Sequence, residues 1–121
     1  MVPQLSILVV DDDRTVLGTV AEVIETEGHR CFQASSANQA LELATRHPIQ
    51  ASILDMHLGE NTGLEILIRL QVVHQHLPAI LMSGDLTAAI RQKAMNIGFL
   101  RVLDKPLDLA HLRHAVHQLV G

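Results

Sequence analysis

The run Ile7-Leu8-Val9-Val10 ends abruptly in three carboxylates, Asp11, Asp12 and Asp13. At about 4 Å and an effective dielectric near 20, each like-charge pair costs roughly 4 kcal/mol, so such a cluster calls for a cation. Further apolar runs end the same way: Ala51 to Leu54 leads into Asp55, Ala79 to Met82 into Ser83, and Phe99 to Leu103 stops just short of Lys105. Carboxylates gathered beside a hydroxyl and an ammonium make an oxygen-rich site for a hard divalent cation, magnesium or a relative such as manganese. Magnesium keeps waters and phosphate oxygens among its ligands, which points to a phosphoryl group as the reacting species. In that chemistry Asp55 is the acceptor, since carboxylates form aspartyl phosphates. Lys105 and the metal neutralise the transferring charge, and Ser83 donates to a phosphoryl oxygen.

These residues are useful only if the fold brings them together, and the hydrophobic periodicity says that it does. Leu5 to Val10 reads as a strand, and Val16, Leu17, Val20, Val23 and Ile24 follow at helical spacing up to Gly28. Arg30 opens a weaker strand through Cys31, Phe32 and Ala34, and Ala37, Ala40, Leu41 and Ala44 mark a short helix ending before Pro48. Ala51 to Leu54 is the third strand. After a loop holding Gly59 and Gly63 come Leu64, Leu67 and Ile68, with Thr62-Gly63-Leu64-Glu65 fitting a capping box. Pro78 opens the fourth strand, Ala79 to Met82, and Ala89, Ile90, Ala94 and Ile97 give a helix closed by Gly98. Phe99 to Leu103 is the fifth strand. Asp108 caps a last helix carrying Leu109, Leu112, Val116, Leu119 and Val120 on one face. Five βα units with near-continuous apolar strands predict an α/β fold, a parallel sheet with helices on both faces. Ligands of such sheets bind outside the carboxyl ends of the strands, where Asp11, Asp12, Asp55, Ser83 and Lys105 fall. The second strand offers only Ser35 and Ser36 there.

Composition narrows the function. A chain of 121 residues, 48% hydrophobic, suits one domain over residues 1–121 and leaves no room for a second. Aromatics make up 2%, with no Trp or Tyr, so platforms for stacking bases are missing, and a formal net charge of −4 argues against direct nucleic-acid contact. Cys31 is the only cysteine, which excludes an internal disulfide and suits a reducing compartment. No apolar run approaches the roughly 18 residues of a membrane span and no signal-peptide pattern opens the chain, so a cytoplasmic, membrane-free protein is expected.

Val9-Val10-Asp11-Asp12, Ile53-Leu54-Asp55-Met56, Leu81-Met82-Ser83-Gly84 and Asp104-Lys105-Pro106 together resemble, in order and spacing, the receiver domains of two-component response regulators, over essentially the whole chain. The resemblance implies the doubly wound, flavodoxin-like fold with strand order 2-1-3-4-5 and five flanking helices. It implies that Asp55 takes a phosphoryl group from a histidine kinase or histidine phosphotransfer protein, and that Asp11, Asp12 and Asp55 hold magnesium with the backbone carbonyl of His57. Ser83 becomes the switch hydroxyl, Lys105 the partner of the phosphoryl group, and the Lys105-Pro106 bond cis. The responding surface is then the fourth helix, fifth strand and fifth helix, with Leu86, Arg91, Arg101, His111 and His114 as lining residues. Its reader is an output domain or a downstream protein. Three positions depart from the family pattern. Val102 stands where an aromatic is usual, which removes the ring that couples to the switch hydroxyl. Gly59 replaces a common proline, which predicts a looser loop beside Asp55. His57 and Asp85 occupy places, two beyond Asp55 and Ser83, that in this family influence the lifetime of the phosphoryl group.

Plainer roles are assigned elsewhere. Asp13 suits the cap of the first helix better than metal binding, and Thr62 and Thr87 suit helix starts. His111, His114 and His117 recur every three residues, a step that drifts around a helix, and His74 and His76 flank a loop glutamine, so these are read as a solvated face rather than a metal centre. Cys31 is read as a small core residue, and Met56 either shields the site or packs. Two other functions compete with the switch. A degenerate, phosphorylation-independent adaptor rests on Val102 alone. A magnesium-dependent small-molecule phosphatase lacks its second aspartate, because His57 stands there, and has no cap domain. On the switch reading the domain is not an enzyme beyond its own phosphorylation and dephosphorylation. It is either a stand-alone receiver or a piece of a longer protein.

Overall fold

The structure, a computed structural model, describes residues 3–120. Its main sheet holds β1 (Ser6–Val10), β2 (Arg30–Ala34), β3 (Ala51–Asp55), β6 (Ala79–Ser83) and β7 (Arg101–Asp104), all parallel, in the order β2-β1-β3-β6-β7. Counted among themselves, these strands run 2-1-3-4-5, as expected. Five helices connect and cover them: α1 (Arg14–Thr26), α2 (Ala37–Arg46), α3 (Gly63–Val73), α4 (Ala88–Ile97) and α5 (Leu109–Val120).

Each central strand is apolar on both sides because each side meets a helical layer. Ile7, Val9, Ile53, Ile80 and Met82 pack with α1 and α5 residues such as Val20, Ile24, Leu112 and Val116. Leu8, Val10, Leu54 and Leu81 pack into the opposite layer with Ala40, Leu67, Leu70 and Ala94. A fully buried aliphatic side chain contributes about 1.5–3 kcal/mol, so these four-to-five-residue strands carry much of the stability.

The helix starts follow local capping chemistry. Asp13 Oδ1 accepts from the N–H groups of Thr15 and Val16, and the hydroxyls of Thr62 and Thr87 accept from Glu65 and Ile90 N–H. Asp108 accepts from His111 N–H, which holds its carboxyl below the usual range. Ser36 caps α2 through Gln39 N–H, a role not anticipated.

Several boundaries differ from the periodic reading. The last strand begins at Arg101 rather than Phe99, because Gly98 takes φ 121° and Phe99 N–H turns back to the Ala94 carbonyl, closing α4. Phe99 is buried all the same. Ile68 and Leu109, both assigned to inward faces, are about half exposed; α3 buries Ile66, Leu67 and Leu70 instead. A two-stranded ribbon, β4 (His57–Leu58) and β5 (Asn61–Thr62), fills the loop after β3. Gly59, expected to loosen this loop, is the first corner of its two-residue turn, at φ 62°, which suits glycine.

Cys31 is partly buried against the α1–α5 layer. Burial, helped by the charge of Glu25, pushes its thiol up to about 12. The thiolate is the reactive species, so iodoacetamide at pH 8 should alkylate the folded chain roughly 10³-fold more slowly than the urea-unfolded chain. Equal rates in the two states would contradict this burial. Among the described residues no helix is long and apolar enough to cross a membrane.

Candidate functional site

The site forms where the chain reverses direction across the sheet. β2 lies on one side of β1 and β3 on the other, so the carboxyl ends of β1 and β3 flank a crevice that no connection crosses. Asp11 follows β1 directly, its N–H continuing the ladder to the Ala34 carbonyl at 3.1 Å. Asp55 ends β3, level with Met82 of β6. Ser83 ends β6, level with Asp104 of β7, and Lys105 N–H donates to the Ser83 carbonyl at 2.8 Å. Four chain segments are thus held in register by sheet hydrogen bonds before any side chain acts.

The side chains then converge. Lys105 Nζ donates to Asp11 Oδ2 at 2.7 Å and lies 3.1 Å from Asp55 Oδ1. Asp11 is fully buried and Asp55 nearly so. Asp11 Oδ1 also accepts from Asp13 N–H at 2.9 Å, so both of its oxygens are satisfied. Asp12 is exposed at the rim, and one oxygen from each of Asp11, Asp12 and Asp55 lies within 4.8 Å of the others. Burial raises the pKa of Asp55, the Lys105 hydrogen bond opposes that, and the charges of Asp11 and Asp12 push it up again; the net position is above the ordinary carboxylate value. Burial works to lower the Lys105 pKa, but hydrogen bonds to Asp11 and Asp55 outweigh it and leave the ammonium firmly charged.

An all-oxygen donor set with two buried carboxylates and one ammonium suits a hard divalent cation. Among the described residues this is the one His/Cys/Asp/Glu cluster that suits a metal. The α5 histidines do not form another: His117 pairs with Glu27 at 2.8 Å, and His111 and His114 are exposed. His74 Nε2 lies 2.7 Å from the Ala44 carbonyl near the end of α2.

The family model for the response regulator receiver domain matches residues 7–117. The chain belongs to that family. As a receiver domain it is a phosphoacceptor switch of two-component signalling, and the family is one of signalling domains rather than classical enzymes. Sporulation initiation phosphotransferase F of Bacillus subtilis is 33% identical over 110 residues, covering 91% of this chain and 89% of that protein. Alginate biosynthesis transcriptional regulatory protein AlgB of Pseudomonas aeruginosa is 33% identical over 109 residues, 90% of this chain but 24% of that protein. The receiver domain therefore spans most of one relative and about a quarter of another. A solved response regulator from Burkholderia pseudomallei, carrying a phosphorylated aspartic acid, a calcium ion and citrate, superposes with a TM-score of 0.84 at 26% identity, over 97% of this chain and 69% of that one.

Of the residues singled out in the sequence, the structure brings Asp11, Asp12, Asp55 and Lys105 together. Ser83 is fully buried at the end of β6, but its hydroxyl bonds to Asp85 and to none of those four. His57 follows Asp55 by two residues in β4, with its ring against Asp85. The Lys105-Pro106 bond is cis. Leu86, Arg91, Arg101 and His111 line two adjoining hollows over α4, β7 and the start of α5 that share Arg91 and Asp104, while His114 lines neither. Val102 is largely buried in the core layer that holds Ala94 and Phe99 and forms part of the wall of the hollow at β7.

Gly63 is a residue whose part the sequence reading missed. A Cβ there would stand 2.5 Å from the Asp55 carbonyl oxygen, so α3 rests its first turn directly on the backbone of Asp55. A capping box needs no glycine at the first helical position, where glycine is among the poorest helix formers. Its presence in Thr62-Gly63-Leu64-Glu65 was the available signal for a close approach.

Proposed function

We propose that Asp55 is the phosphoacceptor. A carboxylate oxygen of Asp55 attacks the phosphorus of a phosphohistidine on a histidine kinase or phosphotransfer protein. The P–N bond breaks as the P–O bond forms, and the released imidazole carries off the electron pair and takes a proton. The observation that supports this best is the Lys105 ammonium held between Asp11 and Asp55, at 2.7 and 3.1 Å, at the mouth of the sheet. There it stands ready to exchange a carboxylate for a phosphoryl oxygen. Asp11, Asp12 and Asp55 with the His57 backbone carbonyl would hold magnesium or manganese, which supplies positive charge to the phosphoryl oxygens. Asp11, fixed by Asp13 N–H and by Lys105, stays oriented in the crevice. Asp55 ends β3 with its backbone clamped by α3, so the attacking oxygen is prepositioned.

Phosphorylation adds about −1.5 to −2 charge beside Lys105 and Ser83. Ser83 is the switch hydroxyl, which donates to a phosphoryl oxygen and carries the start of the β6–α4 loop with it. The responding surface is α4, β7 and α5, around Leu86, Arg91, Arg101 and His111, read by an output domain or a downstream protein. With Val102 in the core, the response travels through the loop and the Lys105 backbone rather than through a rotating ring. A cytoplasmic setting, where histidine kinases present their phosphoryl groups, completes the reading.

Intact-mass spectrometry after incubation with acetyl phosphate tests it. One added phosphoryl group per chain is expected with magnesium and none after chelation. No phosphoryl group despite measurable magnesium binding would favour a phosphorylation-independent adaptor, and repeated turnover of small phosphate esters would favour a phosphatase.

A further inference from the structure

The Ser83 hydroxyl is fully buried and has a single hydrogen to donate, which goes to Asp85 Oδ1 at 2.8 Å. Asp85 N–H lies 3.3 Å from Ser83 Oγ in return, so the pair is closed from both ends. The Asp85 carboxylate is itself anchored: His57 Nε2 lies 2.9 Å from each of its oxygens, tying the loop after β6 to the β4 strand that follows Asp55. These contacts, the His57 hydrogen bond first and the Ser83 bond second, hold the Asp85 carboxyl below its ordinary range, so it is a charged acceptor and a stronger one than a neutral group.

One hydroxyl hydrogen cannot serve Asp85 and a phosphoryl oxygen at once. We propose that Asp85 is a positioning residue which, anchored by His57, holds the Ser83 hydroxyl out of the phosphoryl site until Asp55 is modified. The inference rests on the reading of Ser83 as the switch hydroxyl given above. The unmodified domain is then latched: the phosphoryl group must out-compete a charge-assisted hydrogen bond before Ser83 moves. The latch sets how far the switched conformation is populated at a given occupancy of the site. The anchor joins two loops, from His57 of the ribbon beside Asp55 to Asp85 after β6, so it stays in place when Ser83 leaves.

The test is a double-mutant cycle on the affinity for beryllofluoride, which mimics an aspartyl phosphate, measured with magnesium by titration of backbone amide NMR signals. Asp85→Ala frees Ser83 and should tighten the mimic by about three- to ten-fold. Ser83→Ala should weaken it, and in the Ser83→Ala background the Asp85 change should have no effect, because nothing remains to release. An equal gain in both backgrounds overturns the latch, since Asp85 would then act only by its negative charge near the anion. An unchanged or weakened affinity in Asp85→Ala also overturns it. Amide spectra of the variants establish that each is folded. If the unaltered chain fails to bind the mimic at all, the phosphoacceptor reading falls and the latch with it; if that chain binds and the cycle is flat, only the latch falls.

Discussion

Asp55→Asn should abolish phosphoryl acceptance completely while leaving the domain folded. The amide matches the carboxylate in shape but has no anionic oxygen to attack phosphorus, so the loss is all-or-none. The fold should tolerate the change, because the ionised carboxylate is itself unfavourable in this crevice. Burial raises its pKa above the ordinary value, so the stability contributed by this group is present below the unfolded carboxylate pKa and declines as pH rises through the folded one. A neutral Asn removes that decline, and Lys105 keeps its 2.7 Å bond to Asp11. At neutral pH without metal, thermal melting of the variant should therefore come at or above the temperature of the unaltered chain. Acetyl phosphate labelling that persists at another residue would refute Asp55 as acceptor, and a melting temperature lower by more than about 5 °C would refute the electrostatic account.

The second large effect should come from a methyl group. Gly63→Ala places a Cβ 2.5 Å from the Asp55 carbonyl oxygen, 3.2 Å from its carbonyl carbon and 2.8 Å from Leu81 Cδ1. The Leu81 side chain can rotate, but the Asp55 backbone is held in the β3–β6 ladder. Overpacking of this kind costs about 1–3 kcal/mol, enough to outweigh the roughly 1 kcal/mol by which alanine is the better helix former. The strain falls on the proposed phosphoacceptor, and a misplacement near 1 Å costs about 10²-fold in rate. Urea unfolding and the rate of acetyl phosphate labelling should both decline. Gly18→Ala, in α1 with nothing within 4 Å of its added Cβ, is the control and should stabilise by about 0.5–1 kcal/mol. If both substitutions behave like Gly18→Ala, the contact between α3 and Asp55 carries no constraint.

How much of this was legible beforehand depends on the range of the interaction concerned. Strands rich in Val, Ile and Leu announce burial on two faces, and a parallel sheet collects whatever follows each strand at one edge. Asp11, Asp55 and Lys105 were readable as a site for that reason. Caps were equally legible at Asp13, Thr62, Thr87 and Asp108, since a side chain and an N–H two or three residues on decide them. The last strand was misplaced by two residues because Phe99 is apolar and buried, and burial does not distinguish a strand from the closing turn of a helix.

Taken alone, the sequence determined the number of βα units, the parallel sheet, the acidic and basic residues at its edge and the family they mark, because these follow from periodicity and residue type over a few positions. Only the tertiary structure decided which groups pair. Lys105 reaches Asp11 across 94 residues, His57 meets Asp85 across 28, and Gly63 touches the Asp55 carbonyl. Those pairings depend on strand register and helix docking, which are settled by the packing of the whole core; local sequence marks at most, as at Gly63, that something approaches closely, and not which group it is.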